Sequence, residues 1–78
     1  MNNEDFKRII LKFSKVADEI SDIKDSDMLI DDLAIDSLSF IELVIRLEEK
    51  YNIDLKTDMS LFSRDLTVGE LYKKIIVN

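Results

Sequence analysis

The sequence predicts an all-α fold, a small antiparallel bundle of three main helices plus one short helix, with a long loop between helices one and two. The chain has no proline and a single glycine, so the turns that β-hairpins need are missing. Apolar residues instead recur three and four positions apart over several segments. With 78 residues, the chain has room for one domain, 1–78, and not for two.

The first helix is expected over Asn3–Ile20, where the helical spacing of apolar residues persists for about four turns. Asn2 or Asn3 can cap its start, and Glu4 and Asp5 suit the positive end of the helix dipole. The apolar residues are Phe6, Ile9, Ile10, Phe13, Val16, Ala17 and Ile20. Residues 21–36 form the long loop, which is rich in aspartate but carries enough apolar residues to pack down.

The second helix is expected over Ser37–Tyr51, with Asp36 or Ser37 as its N-cap. Its apolar residues are too many for one stripe, so one face is either buried on a second side or reserved for a partner or ligand. Leu61–Arg64 is expected to form the short helical turn. The last helix begins with a capping box, Thr67–Glu70. Leu66 and Leu71 stand where a hydrophobic staple would close over its start.

Missing residue types exclude several classes of function. The chain has no cysteine for a disulfide or a thiolate metal site. It has no histidine either, and so lacks the commonest general base and metal ligand, and an enzyme is not expected. The loop acids do not make an EF-hand calcium site, because Ile30 stands where that loop needs glycine and Leu29 where it needs an oxygen ligand. No metal site is predicted.

The balance of charges indicates the class of partner. The net charge is −6, from 17 acidic and 11 basic side chains. Such a chain repels nucleic-acid phosphates and anionic lipid headgroups, and it favours proteins with basic patches. Its first residues are acidic where a secretion signal is basic, and no segment is long enough to span a membrane. We therefore expect a cytoplasmic monomer without nucleic-acid binding or stable membrane insertion.

The segment from Asp32 to Leu38 places a serine hydroxyl, that of Ser37, at the first turn of an amphipathic helix. A helix N-terminus offers unpaired backbone N–H groups and the positive end of the dipole, so it tolerates a phosphate there. Another enzyme can supply the base and the metal that modify this hydroxyl, which fits a chain without histidine. On position alone, however, Ser37 could be nothing more than an N-cap.

This segment resembles the signature of the acyl carrier protein family, in which an Asp-Ser-Leu triplet opens the second helix. The family pattern is Asp-Leu-Gly-x-Asp-Ser-Leu, followed after a few residues by Glu-Leu-Val. The matching positions here are Asp32, Leu33, Ala34, Ile35, Asp36, Ser37, Leu38, Glu42, Leu43 and Val44. The order of helices and loops also matches over nearly the whole chain. Ala34 departs from the pattern, because it replaces a glycine that can adopt positive φ.

The resemblance implies a carrier and not an enzyme. A phosphopantetheinyl transferase would attach 4'-phosphopantetheine to Ser37, and Asp36 would help to position the metal of that transfer. Acyl groups would then ride on the arm as thioesters to the acyl-transferring and chain-elongating enzymes of fatty-acid or polyketide-type biosynthesis. The acids implied to meet basic patches on these partners are Asp32, Glu42 and Glu48, and the implied apolar contacts at the same docking surfaces are Leu38 and Ile45.

The apolar surplus of the second helix predicts an acyl pocket toward Ile45, Leu47 and Phe62. Phe40 lies off the main apolar stripe and is a further candidate for partner or acyl contact. Two other interpretations stay open. One is a peptidyl or aminoacyl carrier of the same fold, and the other is an unmodified acidic helical adaptor in which Ser37 is only a cap.

Overall fold

The computed structural model describes residues 3–55, 61 and 63–76. Its elements are α1 (Asn3–Phe13), a 3-10 turn (Ile20–Asp22), α2 (Ser37–Tyr51) and α3 (Val68–Ile76). These residues include no β-strand, only an isolated antiparallel bridge between Met28 and Thr67. The predicted all-α class is confirmed. The predicted short helix falls partly on residue 62, which lies outside the described residues.

The first helix is shorter than its periodicity predicts, because α1 ends at Phe13 and not at Ile20. Ser14 turns the chain out of the helix: its hydroxyl accepts the N–H of Ala17 (3.1 Å) and donates to the carbonyl of Leu33 (2.8 Å). Such side-chain hydrogen bonds offer the backbone an alternative to the helical ladder. Val16, expected on the buried stripe, is therefore 60% exposed.

The core of the described residues is wholly apolar, with no buried polar or charged side chain among them. The helices contribute Phe6, Ile9, Ile10, Phe40, Leu43, Val44, Leu47, Val68, Leu71 and Ile75. The long loop contributes Ile23, Leu29, Leu33 and Ile35, which confirms that it packs down onto the helices. The rings of Phe6 and Tyr72 join α1 to α3, with their centroids 5.2 Å apart.

Backbone hydrogen bonds hold the long loop against the start of α3. The N–H of Leu29 donates to Leu66 (3.1 Å), and the N–H of Gly69 donates to Asp25 (2.9 Å). A Cβ atom at position 69 would lie only 3.2 Å from the Asp25 carbonyl oxygen. The one glycine of the chain thus stands where the loop passes close to the backbone of α3.

The predicted capping box at the start of α3 is confirmed. The N–H of Thr67 donates to Glu70 Oε1 (2.9 Å), and the N–H of Glu70 donates to Thr67 Oγ1 (3.2 Å). Leu66 and Leu71, the residues of the predicted staple, are both buried. The capping box thus pairs the N–H groups of Thr67 and Glu70, and loop carbonyls accept those of Val68 and Gly69.

Two non-glycine residues adopt the left-handed backbone region, Ala34 with φ 55° and Asn52 with φ 54°. Asn52 is the C-cap of α2, where asparagine is tolerated because its short polar side chain bonds locally. Ala34 has no such compensation, and its Cβ crowds the following carbonyl oxygen. Ala34 stands where the family pattern has glycine, and its backbone adopts the positive φ that favours glycine.

Ala34→Gly is therefore expected to raise the free energy of unfolding by about 1 kcal/mol, because it removes the strain of a Cβ at positive φ. Asn52→Gly is the matched control, and a gain of only about 0.3 kcal/mol is expected there, because asparagine tolerates the left-handed region. Urea unfolding of both variants measures the difference. An Ala34→Gly variant that is no more stable than the wild type would contradict the strain assigned to this loop position.

Candidate functional site

Asp36 is the residue that caps the start of α2. Its backbone is extended, and its Oδ1 atom accepts the N–H of Ser39 at 2.8 Å. Its carbonyl oxygen accepts the first helical hydrogen bond, from the N–H of Phe40 (2.8 Å). Ser37 is accordingly the first helical residue and not the cap. The observed bounds of α2 are those predicted from the sequence.

The Ser37 side chain consequently takes no part in capping α2. The residue is exposed, and its hydroxyl makes no hydrogen bond to the residues that the structure describes. Leu38, which follows it, is 76% exposed. An exposed hydroxyl at a helix start, with no partner to give up, is open to modification by another enzyme.

Lys15 is a second partner of Asp36, and the sequence did not reveal it. Its Nζ atom lies 2.7 Å from Asp36 Oδ2, although 21 positions separate the two residues. This hydrogen bond, followed by those from the backbone and side chain of Ser39, lowers the pKa of Asp36 to about 2. The carboxylate beside Ser37 is therefore ionised throughout the neutral range.

The acids of the long loop are engaged one by one and do not converge on a common point. Their contacts are Lys7 with Asp25 (3.1 Å), Arg64 with Asp31 (2.8 Å), the Lys24 N–H with Asp27 (2.9 Å) and the Met28 N–H with Asp32 (2.7 Å). The described residues hold no group of three or more metal-binding side chains close enough to share an ion. Asp32, a predicted docking residue, is exposed, and its carboxylate closes a turn of the loop.

The buried face of α2 corrects the interpretation of Phe40. This residue is only 3% exposed and belongs to the core, so it is not available to a docked partner. The buried side chains of α2 are Phe40, Leu43, Val44 and Leu47. Their spacing of three and four positions defines one continuous helix face. The sequence did not distinguish this face, because apolar residues occur on the other side of α2 as well.

The opposite face of α2 carries an exposed apolar stripe. It consists of Leu38, Ile41 and Ile45, with 76%, 47% and 38% of their surfaces accessible. Ile45 and Leu47, both named for the acyl pocket, therefore lie on different faces, since Leu47 is fully buried. The structure does not bring these two side chains together. Phe62, the third residue named for that pocket, lies outside the described residues.

An open groove of about 320 Å³ runs beside the exposed stripe, between α2 and the end of α1. Its lining consists of Phe13, Glu42, Ile45, Arg46 and Glu49. Glu42 and Ile45 were predicted as docking residues, whereas Phe13 was given only as an apolar residue of the first helix and Arg46 was assigned to no site. Phe13 is the last residue of α1, and its side chain is half-buried at the edge of this groove.

Glu48, another predicted docking residue, is half-buried. Its Oε2 atom accepts the N–H of Leu55 at 2.8 Å, so the side chain supports the backbone that follows α2. Glu42, in contrast, is exposed beside the apolar stripe.

Comparison with known proteins identifies the family. Residues 4–75 match a family model described as a phosphopantetheine attachment site. The acyl carrier protein of Wolinella succinogenes is 32% identical over 75 residues, which cover 96% of this chain and 93% of that protein. The chain belongs to the acyl carrier protein family. The acyl carrier protein of Chlamydia muridarum is 38% identical over 72 residues, 92% of this chain and 88% of its own length.

Membership of the acyl carrier protein family confirms two predictions, since this family bears phosphopantetheine and its members carry groups without catalysing their conversion. The start of α2 fits such a group. Ser37 offers an exposed hydroxyl, and the Lys15 ammonium lies 2.7 Å from the carboxylate of the preceding residue, Asp36. Among the described residues, no helix combines the length and the apolar character needed to cross a bilayer.

Proposed function

We propose that Ser37 bears the 4'-phosphopantetheine arm of this carrier. The observation that supports this assignment is that Asp36, and not Ser37, caps α2. The Ser37 hydroxyl is therefore exposed and makes no hydrogen bond within the described residues. The same observation argues against an unmodified adaptor, which needs Ser37 as a cap. We take residues 1–78 as one carrier domain.

The residues around Ser37 support its modification in distinct ways. Asp36 is held by the Ser39 N–H on one oxygen and by Lys15 on the other, so its carboxylate has a fixed position beside the hydroxyl. There it would help to orient the metal that the phosphopantetheinyl transferase brings. The transferase supplies the general base, because this chain contains no histidine.

When attached, the arm supplies a thiol that carries acyl groups as thioesters. The chain itself supplies the anchor, and tethering raises the effective concentration of the acyl group at each docked enzyme. The relatives are named acyl carrier proteins, which supports acyl over peptidyl cargo in fatty-acid or polyketide-type biosynthesis. An acyl chain that entered the bundle would meet Leu47 only from the core side of α2.

The attachment is tested by intact mass after incubation with coenzyme A, magnesium and a broad-specificity transferase. We expect one phosphopantetheine on the wild type and on Ser39→Ala, and none on Ser37→Ala. Circular dichroism of both variants checks that they fold. A wild-type mass that stays unchanged with several transferases would exclude the proposal, as would modification that persists in Ser37→Ala.

We propose further that partner enzymes dock on the exposed face of α2. Leu38, Ile41 and Ile45 give this face its apolar centre, and Glu42 lies exposed beside them. Asp32 adds an acidic group on the loop before α2. An apolar stripe with acidic neighbours complements an apolar surface surrounded by lysine and arginine. The net charge of −6 adds long-range attraction to such a partner.

Charge reversal at Glu42 tests this docking face. Glu42→Lys is expected to lower kcat/KM of the transferase about threefold to tenfold at low salt, because it places a cation before a basic partner. Asp18→Lys, an equal change of net charge at an exposed position outside α2, is the control and is expected to have a much smaller effect. The difference should shrink as salt screens the charges. Equal rates for the two variants would contradict the assigned face.

Cytoplasmic location and a monomeric state stay predictions, which cell fractionation and sedimentation would check. They are in keeping with the acidic surface, which disfavours nucleic acid and anionic lipid alike.

A further inference from the structure

We propose that Lys15 is a binding residue for the prosthetic group, and that its ammonium holds the phosphodiester on Ser37 together with the carboxylate of Asp36. The proposal rests on the attachment to Ser37 proposed above. It assigns a role to a side chain that the sequence did not single out, and it is carried by the geometry at the start of α2.

The backbone of Lys15 is fixed relative to the loop that leads into α2. Its N–H donates to the carbonyl of Leu33 (3.3 Å), and the hydroxyl of the preceding Ser14 donates to the same oxygen (2.8 Å). Leu33 is itself buried, with 2% of its surface exposed. The root of the Lys15 side chain is thus anchored to the core, and its ammonium reaches Asp36 Oδ2 at 2.7 Å.

Lys15 is placed to meet a charge added to Ser37. Elsewhere in the described residues, ion pairs join Lys7 to Asp25, Arg8 to Glu4 and Arg64 to Asp31. The pair between Lys15 and Asp36 lies directly before the attachment residue. Asp36 and Ser37 are neighbours with Cα atoms about 3.8 Å apart. A phosphodiester on Ser37 would therefore place a second anion close to the Asp36 carboxylate, and the two would repel.

The hydrogen-bonding capacity of the ammonium suits two anions at once. A lysine ammonium has three N–H donors. One of them faces Asp36, and the others are left for phosphate oxygens within the described surroundings of the side chain. The positive end of the α2 dipole acts in the same direction, although the Ser39 N–H is already taken by Asp36. Lys15 thereby relieves the repulsion and orients the root of the arm.

The test compares Lys15→Met and Lys15→Arg with Lys12→Met. Lys12 is the matched control, an exposed lysine in the last turn of α1 with no ion pair among the described residues. Each protein is modified with the arm, and its intact mass is checked. The phosphorus NMR signal and the melting temperature are then measured, the latter with and without the arm. Unmodified Lys15→Met is the reference that shows the effect of losing only the contact with Asp36.

We expect the phosphorus signal to move in Lys15→Met and to stay near the wild-type position in Lys15→Arg and Lys12→Met. The change in melting temperature on modification should be about 2–5 °C less favourable in Lys15→Met than in the wild type at low salt. In the wild type, the Nζ resonance of Lys15 should shift on modification while that of Lys12 does not. This last measurement needs no variant.

The same phosphorus signal and the same change in melting temperature in Lys15→Met and Lys12→Met would overturn the role of Lys15. An unmoved Lys15 resonance in the modified wild type would do so as well. In both cases, the intact mass would still show the arm, and the proposed function would stand. A wild type that takes up no arm would overturn both proposals together.

Discussion

The carboxylate of Asp36 is the group on which the start of α2 depends. One of its oxygens accepts the Ser39 N–H, and the other accepts the Lys15 ammonium. Because this residue closes the helix, the hydroxyl of Ser37 has no part in holding the fold. If the serine were the cap, its modification would cost the helix an acceptor for an N–H group. Under the proposed attachment, modification of Ser37 leaves the cap of α2 intact.

The position of this helix start depends in turn on the long loop. Leu29, Leu33 and Ile35 bury this loop in the core, and hydrogen bonds to α3 hold its earlier part. A small domain has a thin stability margin, so every buried loop residue matters to it. The buried face of α2 completes the core, and the opposite face carries the exposed apolar stripe. If partners dock there as proposed, folding and docking use different sides of one helix.

Local signals in the sequence predicted much of this structure. The capping box of α3 and the bounds of α2 each follow from residues close together in the chain. The end of α1 could not be read in this way, because Ser14 leaves the helix for the carbonyl of Leu33, a contact between distant residues. The burial of Phe40 was missed because α2 is apolar on two sides, and its periodicity does not say which side meets the core. The contact of Lys15 with Asp36 likewise joins distant positions and has no local pattern.

The most direct test of the central claim is the hydrogen exchange of the Ser39 amide, measured by NMR in the unmodified protein. If Asp36 is the cap, Ser37→Ala leaves this amide as protected as in the wild type, whereas Asp36→Ala exposes it to rapid exchange. Asp36→Asn, which keeps a side-chain oxygen as acceptor, retains part of the protection. Loss of protection in Ser37→Ala with retention in Asp36→Ala would show that the serine holds the helix, and it would contradict the capping role of Asp36.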